Sequence, residues 1–320
     1  ELFPDAMRWI WKDWPKPVKA GKGSPQLQDI LVPREDWTLI GEGYKFTEGP
    51  AVNAKGEVFF NDVGNSKTYK VSLQPLQPGL RVRGPQDNTV TEFLSDSKRG
   101  DGQAFGPDGR LYANAGATEQ VLAWDADGKS TVFADGFKGN DLVVRHDGSV
   151  YATAPFTTPN DSKIWYVSPK GEKKIVDSGL KFANGICCSP DQSLLYVADS
   201  RSHWVYSFQI QADGSLAHKQ KYFHLHVPDT ADDSGADGLR TDRDGRVWVA
   251  TRMGLQVCDQ PGRVNCIIPT PNGKVSNLTF GGENFDTLLC TCGDRVYSRK
   301  VKVKGTNGWQ PPLKPPTPRL

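Results

Sequence analysis

No apolar run in these 320 residues approaches the roughly 18–20 needed to cross a membrane as a helix. Nor is there a basic stripe or a Lys/Arg run. The 39 basic residues nearly balance 37 acidic ones, for a net charge of +2. Neither nucleic acid nor an anionic membrane is therefore an expected partner. No His/Cys cluster has zinc spacing, and His146, His203, His224 and His226 sit in turn or strand contexts where surface or packing roles are expected, with a functional role for one of them as the alternative. The 33 glycines and 23 prolines argue against a helical bundle and suit turn-rich β structure instead.

Six cysteines do not settle the compartment. Cys187, Cys188, Cys290 and Cys292 lie in strand-like runs as small buried hydrophobes. Cys258 and Cys266 lie symmetrically about Gly262, so a hairpin could set them opposite each other. Two free thiols are the expectation there, with a cross-strand disulfide as the alternative. The chain opens on Glu1 rather than Met, which points to a removed signal peptide or tag. A periplasmic or secreted location is expected, with a cytoplasmic one still open.

What the chain does have is repetition. Asp244-Gly245 precedes Arg-Val-Trp-Val-Ala-Thr, Asp108-Gly109 precedes Arg-Leu-Tyr-Ala, and Asp147-Gly148 precedes Ser-Val-Tyr-Ala-Thr. Lys55-Gly56, Asp191-Gln192 and, more weakly, Asn284-Phe285 precede similar strands. Asp-Gly suits a tight turn because glycine accepts positive φ and Asp tolerates it. Short strands and turns repeating every ~40–50 residues are the signature of propeller blades. Six copies predict an all-β, six-bladed β-propeller.

Eight residues before the second turn position of each copy stand Glu48, Asp101, Asn140, Asn184, Asp237 and Asn277. All six are acids or amides. The next residue is Gly49, Gly102, Gly185 or Gly238 in four copies, Asp141 in the third and Leu278 in the sixth. Equivalent positions of successive blades circle one axis, so the register predicts a polar ring around a central channel. The alternative is six ordinary polar turn residues, which explains less well a fixed register without Ser, Thr or Lys. Glu48, Asn140, Asn184 and Asp237 offer two carboxylates and two amide oxygens, a hard donor set that suits Ca²⁺ and leaves positions for water or substrate. Zn²⁺, Mn²⁺ and Mg²⁺ are the alternative ions.

Along the chain, residues 1–36 form an irregular N-terminal extension, 37–305 the propeller and 306–320 a Pro-rich tail lying over the surface. Trp9, Trp11 and Trp14 are expected to pack on the outside of the body, and Gln74–Asn88 is an insertion in the first blade. Trp37-Thr-Leu-Ile reads as a strand that completes the last blade and closes the ring.

Glu48-Gly-Pro-Ala-Val, Asn140-Asp-Leu-Val-Val-Arg-His-Asp-Gly and Asn184-Gly-Ile-Cys-Cys-Ser-Pro-Asp, followed by Asp237-Gly-Leu-Arg-Thr-Asp-Arg-Asp-Gly and Ser276-Asn-Leu-Thr-Phe-Gly-Gly, resemble the gluconolactonase/senescence-marker-protein-30 family. The resemblance covers about Trp37 to Gly305. It implies a six-bladed propeller with one divalent metal, usually Ca²⁺, in the channel. Glu48, Asn184 and Asp237 would hold the metal, and Asn140 would bind it directly or through substrate or water. The implied reaction is hydrolysis of a sugar lactone, with Asp237 as general base or, alternatively, nucleophile. Asp101 and Asn277 join the ring by register, Asn277 as a substrate contact and Asp101 as a substrate contact or an acid behind the metal ligands. Family members often carry Ser-Pro before the Asn of blade three, or an Arg two residues ahead of it. Here Lys138-Gly139 precedes Asn140 and Ala154-Pro155 follows the strand, so Lys138 stands where a substrate-holding Arg would, without the bidentate fork.

Two other readings remain: a phosphotriesterase using the same site, and a binding propeller with structural Ca²⁺. As a lactonase the chain would take a small sugar lactone and exist as a monomer or homodimer.

Overall fold

The same turn recurs six times. In the structure, a computed structural model that describes residues 25–73, 88–156 and 158–318, the second turn residue has positive φ in every copy: Gly56, Gly109, Gly148 and Gly245 near 80°, Gln192 at 57° and Phe285 at 54°. Each also donates its N–H to the carbonyl three residues back, from Gly56 to Asn53 at 3.0 Å through Phe285 to Gly282 at 3.0 Å. The two copies without glycine adopt the same backbone as the four that have it. Side-chain oxygens finish these turns. Asn53 Oδ1 accepts from Lys55 and Glu57, and Asp242 Oδ1 from Asp244 and Arg246.

A short helix α1 (Pro25–Ile30) leads into β1 (Thr38–Val52), β2 (Val58–Asp62), β3 (Lys67–Leu73) and β4 (Asn88–Leu94). Three further antiparallel sheets of four strands follow. They are β5 (Gly100–Phe105) to β6 (Leu111–Ala115), β7 (Gln120–Trp124) and β8 (Ser130–Asp135); β9 (Leu142–Val144) to β10 (Val150–Ala154), β11 (Ser162–Val167) and β12 (Lys173–Leu180); and β13 (Ala183–Cys188) to β14 (Leu194–Asp199), β15 (Trp204–Ile210) and β16 (Leu216–His224). A fourth comprises β17 (Leu239–Thr241), β18 (Val247–Thr251), β19 (Gly254–Cys258) and β20 (Val264–Ile268). Finally β21 (Asn277–Gly281) and β22 (Thr287–Lys300) return to β1.

The architecture is an all-β propeller, but with five sheets rather than the expected six. β1 and β22 run unbroken through the first and last repeats, which share one six-stranded sheet in the order β21-β22-β1-β2-β3-β4. β22 folds back at Gly293 (φ 73°), bringing Val301 N–H within 2.9 Å of the Asp286 carbonyl. The start of β1 then pairs with its second half, Leu39 opposite Tyr297, so the N-terminal strand closes the ring as the sequence predicts.

Strands β2, β6, β10, β18 and β21 are buried along their whole length, because blades pack face to face on both sides of them. Their apolar residues are interrupted by buried polar ones, Asn61, Asp62, Asn114, Thr153 and Thr279 among them. The outer strands β8, β12 and β16 are largely exposed. Trp248, fully buried, donates its indole N–H to Asp242 at 3.0 Å, and Arg246 pairs with the same carboxylate at 3.0 Å.

All six cysteines are free and buried. Cys258 and Cys266 do not face each other: a bulge in β19–β20 sets Cys266 opposite Val257 and Val264 opposite Cys258. The tail lies across the end of the channel away from the polar ring. Thr306 N–H reaches the Thr241 carbonyl at 3.0 Å, Trp309 Nε1 reaches the Val52 carbonyl at 3.1 Å, and Gln192 Nε2 reaches the Gly308 carbonyl at 2.7 Å. Trp9, Trp11, Trp14 and nearly all of the Gln74–Asn88 insertion lie outside the described residues.

Candidate active site

The six ring residues stand at matching places. Glu48 lies in β1, Asp101 and Asn184 are the second residues of β5 and β13, Asn277 is the first of β21, and Asn140 and Asp237 stand two residues before β9 and β17. Hydrogen bonds to backbone carbonyls tie three of them to a neighbouring blade. Gly102 N–H reaches the Asn140 carbonyl at 2.8 Å, Asn61 Nδ2 the Asp101 carbonyl at 2.7 Å, and Thr153 Oγ1 the Asn184 carbonyl at 2.7 Å.

The glycines after the ring residues follow from this closeness. A Cβ on Gly49 would lie 2.2 Å from the Asp101 carbonyl oxygen, on Gly185 2.2 Å from that of Asp237, and on Gly238 2.0 Å from Asn277 Oδ1. Only a residue without a side chain lets neighbouring blades approach so tightly.

Inside the ring, Glu48 Oε2 accepts from Gly49 N–H at 2.5 Å and from Asn277 Nδ2 at 3.0 Å. Asn184 Nδ2 donates to Ser200 Oγ at 3.0 Å, and that hydroxyl donates to the Ala236 carbonyl at 2.5 Å. Asn140 Nδ2 lies 3.5 Å from Asp101 Oδ2. Glu48 and Asn277 are buried, whereas Asp101, Asn140, Asn184 and Asp237 keep partial access to solvent.

Two further residues belong here that the ring register did not assign. Asp141, 2 % exposed, approaches Asn277 Nδ2 at 3.4 Å and Arg240 at 3.7 Å. Arg240 also donates to the Leu239 carbonyl at 2.7 Å and lines the cavity between the ring and the tail with Gln103 and Trp309. Asp141 left a trace in the sequence as the one acid in the glycine slot. Arg240 left none, because only the fold brings it to Asp141.

The electrostatics are those of crowded carboxylates. Burial pushes the Glu48 carboxyl up to about 7; the Gly49 N–H pulls it back, and the Asp141 charge adds to the rise. Asp101 and Asp237 are pushed well above the usual carboxylate range, first by burial and then by Glu48. Asp141 is raised by burial against the pull of Arg240. Among the described residues, Glu48, Asp101 and Asp237 have no ion-pair partner, so a bound cation or protons must compensate them.

Also among the described residues, no group of three or more His, Cys, Asp or Glu is arranged to hold a metal by itself. The ring mixes carboxylates with amide oxygens instead, and this uncompensated, all-oxygen set is chemically suited to a hard divalent cation. Lys138 stands outside the ring, exposed, with its ammonium 4.9 Å from the Phe156 ring centre. The histidines lie elsewhere: His203 and His224 stack at 5.0 Å, and His146 Nδ1 lies 3.0 Å from the Trp309 carbonyl beneath the channel.

Residues 132–293, about half of the chain, match the sequence profile described as the SMP-30/Gluconolactonase/LRE-like region. The chain belongs to that family. It is 26 % identical over 325 residues to a gluconolactonase of Zymomonas mobilis, covering 90 % of this chain and 87 % of that one. A solved gluconolactonase of Xanthomonas campestris superposes with a TM-score of 0.73 at 22 % identity, covering 87 % of this chain and 93 % of that one. A calcium-binding regucalcin of Agrobacterium tumefaciens superposes at 0.68 and 17 % identity, covering 88 % and 97 %. At these identities the two solved structures speak for the fold. Relatives and fold thus agree with the SMP-30/gluconolactonase resemblance carried by the motifs from Glu48 to Ser276.

Proposed function

We propose that this SMP-30/gluconolactonase family member is a hydrolase that opens a sugar lactone at the polar ring, with one divalent cation, Ca²⁺ by donor type, held by Glu48, Asn140, Asn184 and Asp237. The observation that carries the reading is the clustering of three carboxylates, Glu48, Asp101 and Asp237, none of which has an ion-pair partner among the described residues and each of which raises or is raised by another. The names of the Zymomonas and Xanthomonas relatives point to the same reaction.

When bound, the cation supplies Lewis acidity towards the lactone carbonyl oxygen. Asp237 accepts a proton from the attacking water as the oxygen–carbon bond forms. It returns that proton to the ring oxygen as the lactone C–O bond breaks, leaving the open-chain hydroxy acid. Asn184 is oriented by Ser200, which fixes its amide while Asp237 acts. Asp101, Asn140 and Asn277 present donors and acceptors to substrate hydroxyls, and Lys138 stands at the rim above them.

The test is a pH-stat assay with D-glucono-1,5-lactone and a small lactone panel, run beside release of 4-nitrophenol from a phosphotriester. Lactone turnover well above the spontaneous rate is expected. Phosphotriester turnover alone would assign the ring to that chemistry, and neither activity would leave a binding propeller.

A further inference from the structure

The mouth of the channel carries charge of the opposite sign to its interior. Lys138 lies 4.9 Å from the Phe156 ring centre, Phe156 meets Phe182 edge-on at 5.9 Å, and the Arg201 guanidinium lies 4.8 Å from the Phe182 ring centre. This cation–aromatic–aromatic–cation row is tied to the ring at both ends. Lys138 is two residues from Asn140. Phe182 is two residues from Asn184, and its carbonyl accepts from Ser200 N–H at 3.0 Å, the residue whose hydroxyl orients Asn184.

A third cation, Arg99, stands two residues before Asp101. It and Lys98 both hold left-handed backbone, φ 56° and 57°, and their carbonyls accept from Gly116 and Ala117 at 3.2 and 3.0 Å. Consecutive non-glycine residues in that conformation persist only where the surroundings enforce it. Both Arg99 and Lys138 act on Asp101 electrostatically.

Among the described residues, Arg99, Lys138 and Arg201 are exposed and have no carboxylate within ion-pair distance. On the outer strands, Lys173 pairs with Asp135, Lys174 with Asp213 and Lys219 with Asp177, while Lys221 lies over the Trp204 ring at 5.9 Å. A neutral sugar lactone would use none of these three charges. Phe156, 44 % exposed, adds an apolar face of the kind on which the C–H side of a sugar carbon chain packs.

We propose that the preferred substrate is a sugar lactone that itself carries an anionic group, a carboxylate or a phosphate, remote from the lactone carbonyl. The lactone end enters the ring, the carbon chain lies on Phe156, and the anion is drawn in by the combined field of Lys138, Arg201 and Arg99. This rests on the lactonase reading and adds the substrate class to it. An acid-lined channel would otherwise repel an anion, and the rim cations offset that repulsion where the substrate enters.

The experiment compares kcat/KM for D-glucono-1,5-lactone, D-glucaro-1,4-lactone and 6-phospho-D-glucono-1,5-lactone, each corrected for spontaneous hydrolysis. Measurements run at ionic strengths of about 0.02 M and about 0.5 M, between which exposed charges become screened. An anionic lactone is expected to be preferred by about tenfold or more at low salt. The preference should shrink at high salt and fall in Arg201→Met and Lys138→Met, chiefly through KM. Which anionic lactone leads identifies carboxylate or phosphate. Turnover of the neutral lactone as well as or better than both others, or a preference indifferent to salt and to Arg201→Met, overturns the inference while leaving the lactonase reading intact. Hydrolysis of no lactone at all overturns both.

Discussion

Asp237→Asn lowers kcat for lactone hydrolysis by about 10³-fold, within the ~10²–10⁴ that a positioned general base contributes. The amide fills the same space, and the backbone N–H of residue 237 keeps its 2.9 Å bond to the Ala250 carbonyl, so the ring geometry is retained. What disappears is the group that takes the proton from water, together with one of the two carboxylates proposed to hold the cation. The same substitution removes a carboxylate that has no ion-pair partner among the described residues and is crowded by Glu48 and Asp101. In the presence of chelator the variant is therefore expected to melt higher than the parent, although it is less active. Steady-state kinetics and thermal melting of the two proteins check both halves. A variant that keeps more than about a tenth of the parent's kcat would remove Asp237 from the role of base.

Metal-free protein loses stability as pH rises from about 4.5 to about 7. Burial and mutual repulsion raise the proton affinity of Glu48, Asp101 and Asp237 in the folded state above that of the unfolded chain. In that window the folded protein holds more protons than the unfolded one, so each added pH unit favours unfolding. The stabilisation is complete below the unfolded carboxylate range and is lost as pH passes through the folded values. Each such carboxylate contributes up to about 1.4 kcal/mol per pH unit, and a shift of that size moves Tm by roughly 2 °C. If the proposed cation site binds Ca²⁺, the ion replaces the protons, and its stabilising effect is expected to be larger at pH 8 than at pH 5. Differential scanning calorimetry with chelator and with excess Ca²⁺ measures this. A chelated Tm that stays level or rises across the window, or an equal Ca²⁺ effect at both pH values, would contradict it.

Much of this was legible in the sequence because a hairpin turn is a local event. A positive-φ residue after Asp or its equivalent recurs at a fixed distance from each ring position. The count worked even at Gln192 and Phe285, where the glycine is missing, because the neighbouring strands impose the turn. The division into sheets was not legible. Whether β22 bends within one hydrogen-bonded ladder or breaks into two is decided by Gly293 and by pairing with β1, some 250 residues away in the chain. The positions of Cys258 and Cys266 were hidden by a single bulge, which shifts register without altering composition. Asp141 with Arg240, and Phe156 with Phe182 and Arg201, come from different blades or loops. No local spacing encodes their meeting.

The central claim is that the ring of Glu48, Asn140, Asn184 and Asp237 holds one divalent cation at which a lactone is opened. Its most direct test is the initial rate of lactone hydrolysis by pH-stat, for protein stripped by chelator and then titrated with Ca²⁺, beside Glu48→Gln treated identically. The account predicts a stripped rate near the spontaneous one, recovery along a single-site saturation curve, and little recovery in the variant at the same Ca²⁺ concentrations. Full activity in the stripped protein, or equal recovery in Glu48→Gln, would contradict it.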